Sequence, residues 1–235
     1  LIPNLLWDYY YHKDDFDIAL DTNRWTTAVT AGGAPTAFAL NVQRAGAIRG
    51  ATGTTDDGVT AIVGTNEIFD AADNPFMLIR WLAPAAVTGF SFEIGFSDPK
   101  ADEALPGVTD VDTPTIGNGV PDLACLHMDT DQTLTTVALV GDGTTGAAVS
   151  QSDPEGAGSS YTPTASAWQT FIIGVRPNLV YAHVWDGAGF AGTFSVGNGP
   201  DSGVLVRPYA LFRSRNTTTK TIRIRKICVA WEQEG

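Results

Sequence analysis

The sequence predicts an all-β protein built as a sandwich or barrel, and three observations support this fold class. About 12 to 15 short runs rich in aromatic and β-branched residues follow one another at near-regular spacing, with polar turns between them. The chain has 25 Gly and 13 Pro among its 235 residues, which suits a protein of strands and turns. Hydrophobic residues make up 43% of the chain, which is enough for a packed core.

The strongest strand signals lie in residues 76–97. Four large apolar side chains alternate with small or polar residues in the second half of this stretch, namely Phe90, Phe92, Ile94 and Phe96. Period-two alternation predicts one apolar face and one face open to water or a polar cleft. Residues 76–83 are apolar throughout except for Arg80, as expected of a strand covered on both sides.

The N-terminal part of the chain contains further strand candidates in order. Residues 1–15 mix aromatic and acidic side chains and are interpreted as an extended arm or first strand. The following strands are predicted at 26–30, 36–43, 44–53 and 59–64, with an Asp-Gly turn before the last of these. Residues 66–74 are the first place where a short helical turn fits the sequence.

The C-terminal part begins with a long segment, residues 98–121, that is acidic and contains four prolines. A loop of this length in a compact domain tends to be functional or to pack as an Ω-loop. Strands are then predicted at 122–128, 135–140, 147–151, 167–177, 179–187, 189–196, 204–215 and 219–233. No linker divides the chain, so residues 16–235 are predicted to form a single sandwich domain.

The charge is unevenly distributed. The last 32 residues hold seven of the 14 basic residues and two acids, whereas the first 203 hold 24 acids and seven bases. The chain as a whole has a formal charge of −12, which argues against nucleic-acid binding over most of its surface. The basic last strands are expected to form one side of the sandwich.

Other features exclude several classes of protein. Cys125 and Cys228 lie in apolar runs and are expected to be buried free thiols, with a disulfide as the alternative. Their spacing gives no support to a structural zinc site. No apolar run is long enough to span a membrane, and the first residues do not resemble a signal peptide.

Few groups in the sequence are arranged for catalysis. A retaining glycosidase needs two carboxylates about 5 Å apart, but Glu93 is alone on its strand between Phe92 and Ile94. The three histidines are far apart in sequence, and no nucleophile-elbow, zinc-protease or phosphate-loop motif occurs. The sequence therefore predicts a protein that is not an enzyme, with no catalytic residues.

Two pairs of acidic residues raise the question of a cation. Asp110 and Asp112, and Asp129 and Asp131, place carboxylates two residues apart, as flexible calcium sites often do. They lack the complete pattern of an EF-hand loop, so solvated turn acids are the first interpretation. No cofactor is predicted, and calcium at these four residues is the alternative.

Longer strings carry a resemblance to a known family. FSFEIGFSD (90–98), the run from Leu105 to Gly143, SYTPTASAWQTFIIGV (160–175) and residues 204–231 resemble a family of tailed-bacteriophage virion proteins. The resemblance covers roughly residues 15–232. It implies a concanavalin A-like lectin/glucanase jelly roll, a β-sandwich of two antiparallel sheets, located on the particle as a head-decoration or other structural protein. The catalytic carboxylates of the glucanase relatives have no match here.

The leading hypothesis is therefore a non-enzymatic capsid decoration protein on the exterior of the virion. Its expected partners are the major capsid protein or other virion proteins and further copies of itself, with a trimer favoured. Because interface anchors are usually aromatic or Arg, the predicted contact residues are Trp7, Tyr9, Tyr10, Tyr11, Arg213, Arg215, Arg223 and Arg225. The alternative is a module of a head fibre or tail spike that binds a surface glycan or receptor through the long acidic segment.

Overall fold

The structure is a computed structural model that describes residues 9–16, 20–41, 46–65, 68–100, 102–110, 115–117, 120, 122–132, 135–143, 148–150 and 160–232. In order, the strands are β1 (Tyr9–Asp14), β2 (Trp25–Val29), β3 (Thr36–Leu40), β4 (Ile48–Ala51), β5 (Val59–Gly64), β6 (Phe69–Asp70), β7 (Phe76–Leu82), β8 (Phe90–Ser97), β9 (Val108–Asp110), β10 (Thr115–Ile116), β11 (Leu123–Asp129), β12 (Ala138–Asp142), β13 (Ala148–Ser150), β14 (Trp168–Arg176), β15 (Leu179–Asp186), β16 (Gly189–Val196), β17 (Leu205–Ser214) and β18 (Thr221–Glu232). A short 3-10 turn at Ala71–Asp73 agrees with the predicted helical turn. In this part of the chain, no helix is long and apolar enough to cross a membrane.

The strands form two large antiparallel sheets. Sheet A has the order β16-β15-β14-β7-β18-β4-β3, with β1 paired to β18. Sheet B has the order β13-β12-β11-β8-β17-β5-β2, with β6 paired to β17. A separate small hairpin joins β9 and β10. The predicted all-β sandwich of two antiparallel sheets is confirmed.

An aromatic core lies between the two sheets. The Trp81 ring of sheet A is 5.3 Å from the Phe92 ring and 5.4 Å from the Phe212 ring, both of sheet B, measured between centroids. It is also 5.5 Å from Phe171 of its own sheet. All four rings are fully buried. Each such side chain contributes about 1.5–3 kcal/mol by leaving water, so this cluster holds the two layers together.

The two strands of the central stretch differ from what their patterns predicted. In β7, Met77, Ile79 and Trp81 are buried but Arg80 is exposed, so this strand is not covered on both sides. In β8 all eight residues are buried, so its polar face is not open to water. The two strands differ because β7 lies in sheet A and β8 lies in sheet B. The chain after β8 folds back over the outer face of sheet B, so it covers β8 and leaves Arg80 of β7 exposed.

A second, smaller apolar cluster shows how the described residues of 98–121 pack over sheet B. We call residues 98–121 the covering segment. Ala104, Val108 and Val120 of the segment pack with apolar side chains on the outer face of the sheet, among them Val63 and Leu211. The Gly117 amide donates to the Gly107 carbonyl (2.9 Å), which closes the segment on itself beside β9 and β10. The expectation of an Ω-like packed loop therefore fits the described residues of this segment.

The end of the chain also differs from expectation. β17 belongs to sheet B and β18 to sheet A, so the last two strands do not form one side of the sandwich. The turn between them crosses from one layer to the other. The hairpin predicted at 167–177 and 179–187 is present as β14 and β15, with Arg176 opposite Leu179. Both cysteines are free thiols; Cys125 is buried, whereas Cys228 is only half-buried.

Candidate functional site

The most distinctive polar site is centred on Glu93 in the middle of sheet B. Glu93 points away from the aromatic core because its neighbours Phe92 and Ile94 point into it. Its carboxylate accepts hydrogen bonds from the Gly107 amide (2.8 Å), the Val108 amide (3.0 Å) and the Tyr209 hydroxyl (3.0 Å). Lys100 Nζ lies 3.7 Å from Glu93 Oε2, and both side chains are fully buried.

Burial and charge together determine the protonation of this site. Burial alone would raise the pKa of Glu93, but Lys100, His127 and the two amide donors lower the pKa below its usual value. Glu93 is therefore an ionised carboxylate. Burial lowers the pKa of Lys100 and that of His127, in both cases against the attraction of Glu93. The His127 Nδ1 atom is 3.9 Å from Glu93 Oε1.

The contacts of Glu93 favour a structural role over a catalytic one. The groups that contact it in the described part of the chain are two amides, a phenol, an ammonium and an imidazole, and none of them is a carboxylate. Lys100 also donates to the Leu105 carbonyl (3.1 Å) and sits 4.1 Å from the centre of the Tyr209 ring. The site therefore ties the covering segment to sheet B.

A second charged network lies on the same outer face of sheet B, at the end of β11. Asp129, with a side chain only 1% exposed, accepts from Arg213 Nη2 (2.5 Å) and Arg215 Nε (3.1 Å). Both arginines also contact Asp57, and Arg215 Nη2 lies 3.3 Å from Asp131. Burial lowers the pKa of Arg215, but these carboxylates raise it above its usual value. Arg213 and Arg215 are thus engaged in ion pairs within the chain, and their role as partner contacts stays a prediction.

The other predicted contact residues lie elsewhere. Trp7 lies outside the described residues, while Tyr9, Tyr10 and Tyr11 belong to β1 and pair in register with Glu232, Trp231 and Ala230 of β18. Arg223 is half-exposed and Arg225 is exposed, both on β18 in sheet A. The structure therefore separates the four arginines into two sheets, two in each.

The predicted calcium residues are also separated. Asp129 and Asp131 contact arginines, Asp110 is the last residue of β9, and Asp112 lies outside the described residues. Among the residues that the structure describes, no three His, Cys, Asp or Glu side chains are placed to hold a metal ion. Calcium at the four acids remains a prediction.

The outer face of sheet A carries a row of aromatic residues. Tyr181, His183 and Trp185 alternate along β15 with buried residues, and their ring centroids are 6.0 and 6.2 Å apart. Phe190 follows at 5.4 Å from Trp185 and is 58% exposed. Half-exposed aromatic rings in a row are suited to contact with a flat ligand or a partner protein.

Sequence reasoning missed most of the Glu93 site. Lys100, His127 and Tyr209 come from three separate segments, and only the pairing of β8 with β11 and β17 brings two of them beside Glu93. A lone glutamate within an apolar strand was the available signal, because an ionised group in such a position needs buried partners.

No protein-family model matches the chain, and no curated protein matches it. Solved structures with a similar fold include peanut lectin with a bound nonapeptide (9% identity, TM-score 0.62, 94% of this chain and 97% of the lectin). They also include the CBM2 module of the evolved Dit of Lactobacillus casei BL23 phage J-1 (12%, 0.57, 97% and 98%). A third is a β-1,3-glucanase from Mycobacterium marinum (12%, 0.55, 93% and 97%). At such low identities the likeness concerns the fold, and the chain has the concanavalin A-like jelly roll of lectins and glucanases.

Proposed function

We propose that this chain is a non-enzymatic structural protein of a bacteriophage particle, located on the capsid exterior as a decoration protein that binds and stabilises the shell. The observation that carries the proposal is the closed outer face of sheet B. Glu93 and its partners are fully buried there under the chain's own segment. A packed and buried face suits a rigid module better than an enzyme with an open cleft.

Two further observations support the phage setting. The strings quoted above resemble virion proteins of tailed phages over nearly the whole chain. One of the similar folds is a module of a phage Dit protein, and the alignment covers 97% of this chain. The expected partners are the major capsid protein or other virion proteins, and among the predicted contact residues Arg223 is half-exposed and Arg225 is exposed.

A second candidate is a glycan- or receptor-binding module of a head fibre or tail spike. The exposed aromatic row at Tyr181, His183, Trp185 and Phe190 favours it, since such rings can stack on a flat ligand. The similar folds include lectins, which supports this alternative at the level of fold. The binding surface would then be the outer face of sheet A, because the described apolar residues of the acidic segment pack on sheet B.

The test is a cryo-EM map of the native particle at side-chain resolution, with this chain traced and its copies counted. Decoration predicts many copies distributed over the head lattice, each in contact with a shell subunit. A few copies confined to the tail tip, with the aromatic row facing outward, would contradict decoration and support receptor binding.

A further inference from the structure

A group of four arginines lies on the outer face of sheet A. Arg49 on β4, Arg80 on β7 and Arg225 on β18 are exposed, and Arg223 on β18 is half-exposed. We call these four residues the arginine end. None of the four has an ion pair within the described part of the chain.

Like charges face each other across the strands at this end. Arg49 lies directly opposite Arg223 in the β4–β18 register, and Arg80 lies opposite Lys226 in the β7–β18 register. Like charges in directly opposed positions destabilise a sheet. The Nε atom of Arg223 is buried without a hydrogen-bond partner. An anionic partner would relieve the repulsion between these like charges.

A group of carboxylates, whose charge is opposite to that of the arginine end, lies elsewhere on the chain. Asp98 follows β8, Asp122 precedes β11, Asp142 ends β12, and Asp201 lies in the loop before β17. The Asp98 amide donates to the Asp122 carbonyl (3.0 Å), and the Asp201 amide donates to Asp122 Oδ1 (3.2 Å). Asp142 is opposite Leu123, next to Asp122. We call these four residues the carboxylate end.

Within the carboxylate end, the charge of Asp122 interacts unfavourably with those of Asp98 and Asp142. Asp142 is only 8% exposed, and its Oδ1 atom is buried without a hydrogen-bond partner. Burial raises the pKa of Asp98, Asp122 and Asp142, and a neighbouring aspartate raises each of them further. Arg207 opposes this effect at Asp98, but it also contacts Glu103. A further cation would relieve the remaining repulsion.

The two ends lie at opposite ends of the sandwich. The Trp81 ring contacts Phe90, the first residue of β8, so the end of β7 beside Arg80 and Leu82 is level with the start of β8. Arg223 pairs with Leu82 at that level. Asp98 follows the last residue of β8. The eight residues of β8 separate the two levels by about 25 Å.

We propose that copies of this chain associate head to tail, with the arginine end of one copy bound to the carboxylate end of the next. Such a contact is heterologous: it uses two different surfaces on each copy and closes into a ring or continues, depending on its rotation. Phe190 and Trp185 lie on the same outer face, where aromatic residues beside arginines favour protein contact. This goes beyond the decoration role, and the purified chain alone tests it.

The experiment measures the mass of the purified chain by light scattering after size exclusion, over a range of concentrations. At low ionic strength, the mass should rise above the 24.8 kDa of one copy. It should return to that value at about 1 M salt, where the screening length falls to roughly 3 Å. Arg80→Glu/Arg225→Glu and Asp98→Asn/Asp201→Asn should each lose the association. Arg24→Glu, which makes the same charge change as each Arg→Glu substitution but lies outside the arginine end, should retain it.

Mixing the two variants distinguishes this arrangement from others. Each variant keeps one intact surface, so an equimolar mixture should form a one-to-one dimer that grows no further. This result would also show that both variants are folded. A wild-type chain that stays monomeric at every concentration would overturn the proposal. An Asp98→Asn/Asp201→Asn variant that associates like the wild type, or a mixture without dimers, would also overturn it.

Discussion

Tyr209 donates a 3.0 Å hydrogen bond to the Oε2 atom of Glu93, and this bond joins two strands that are neighbours in sheet B. Lys100 completes the arrangement by lying above the Tyr209 ring and 3.7 Å from the same carboxylate oxygen. Burial raises the pKa of Tyr209 well above its usual value, so its hydroxyl remains a donor. Because Lys100 belongs to the covering segment and Glu93 to sheet B, their ion pair makes the packing of the segment and the stability of the sheet depend on each other.

Replacing Glu93 should therefore destabilise the fold strongly. Glu93→Gln keeps the shape of the side chain but leaves the Lys100 ammonium buried without its counter-charge. Breaking one partner of a buried ion pair costs about 3–5 kcal/mol. The free energy of unfolding, measured by chemical denaturation, should fall by that amount.

A double variant provides the control for this prediction. Glu93→Gln with Lys100→Met removes both charges, and it should recover part of the loss because no unpaired charge remains. Asp56→Asn, at an exposed turn, should change stability by less than about 0.5 kcal/mol. If Glu93→Gln alone lost no more than Asp56→Asn, the site would not hold the segment.

His127 should make stability depend on pH. Burial lowers its pKa below the 6.5 of an unfolded chain. The unfolded state then binds more protons in the range below 6.5, so the stability is fully present above that value and is lost as the pH falls toward the folded pKa. His127→Gln should flatten the fall of the unfolding free energy between about pH 7 and pH 5. The same slope in the wild type and in His127→Gln would contradict this origin of the pH dependence.

The cysteines should differ in their reactivity toward a thiol reagent. Burial raises the pKa of both thiols, but Cys125 is fully buried and Cys228 is only half-buried. Mass spectrometry of the native protein should show one adduct, on Cys228, with a second on Cys125 after unfolding. Loss of both thiols without reagent would indicate a disulfide and contradict the structure.

The sequence predicts the positions of the strands better than it predicts which of their faces are buried. The alternation in β8 correctly gives the core face of Phe92 and Ile94. It does not show that the opposite face is buried, because the covering segment carries only a few apolar residues, such as Val108. Alternation reports which side chains share a face, and what lies above a face depends on contacts between distant segments.

The candidate site was less predictable for the same reason. Residues 204–235 are basic as a group, but β17 and β18 enter different sheets. Arg213 then meets Asp129, which is 84 residues away, while Arg223 stays on the opposite side of the sandwich. Sequence charge alone cannot distinguish an arginine that pairs internally from one that faces solvent.

The network around Asp129 allows a last prediction. Asp129→Asn removes the carboxylate that contacts both Arg213 and Arg215, and its side chain is only 1% exposed. Because both guanidiniums are largely buried as well, they lose a partner that water cannot fully replace, and the unfolding free energy should fall by about 2–4 kcal/mol.

Asp57→Asn is the matched control, because Asp57 contacts the same two arginines from a side chain that is 61% exposed. An exposed ion pair is worth at most about 1 kcal/mol, so this variant should lose less than that. A double-mutant cycle between Asp129→Asn and Arg213→Gln should give a coupling energy above about 1 kcal/mol. Equal losses for the two aspartates would show that burial does not strengthen this network.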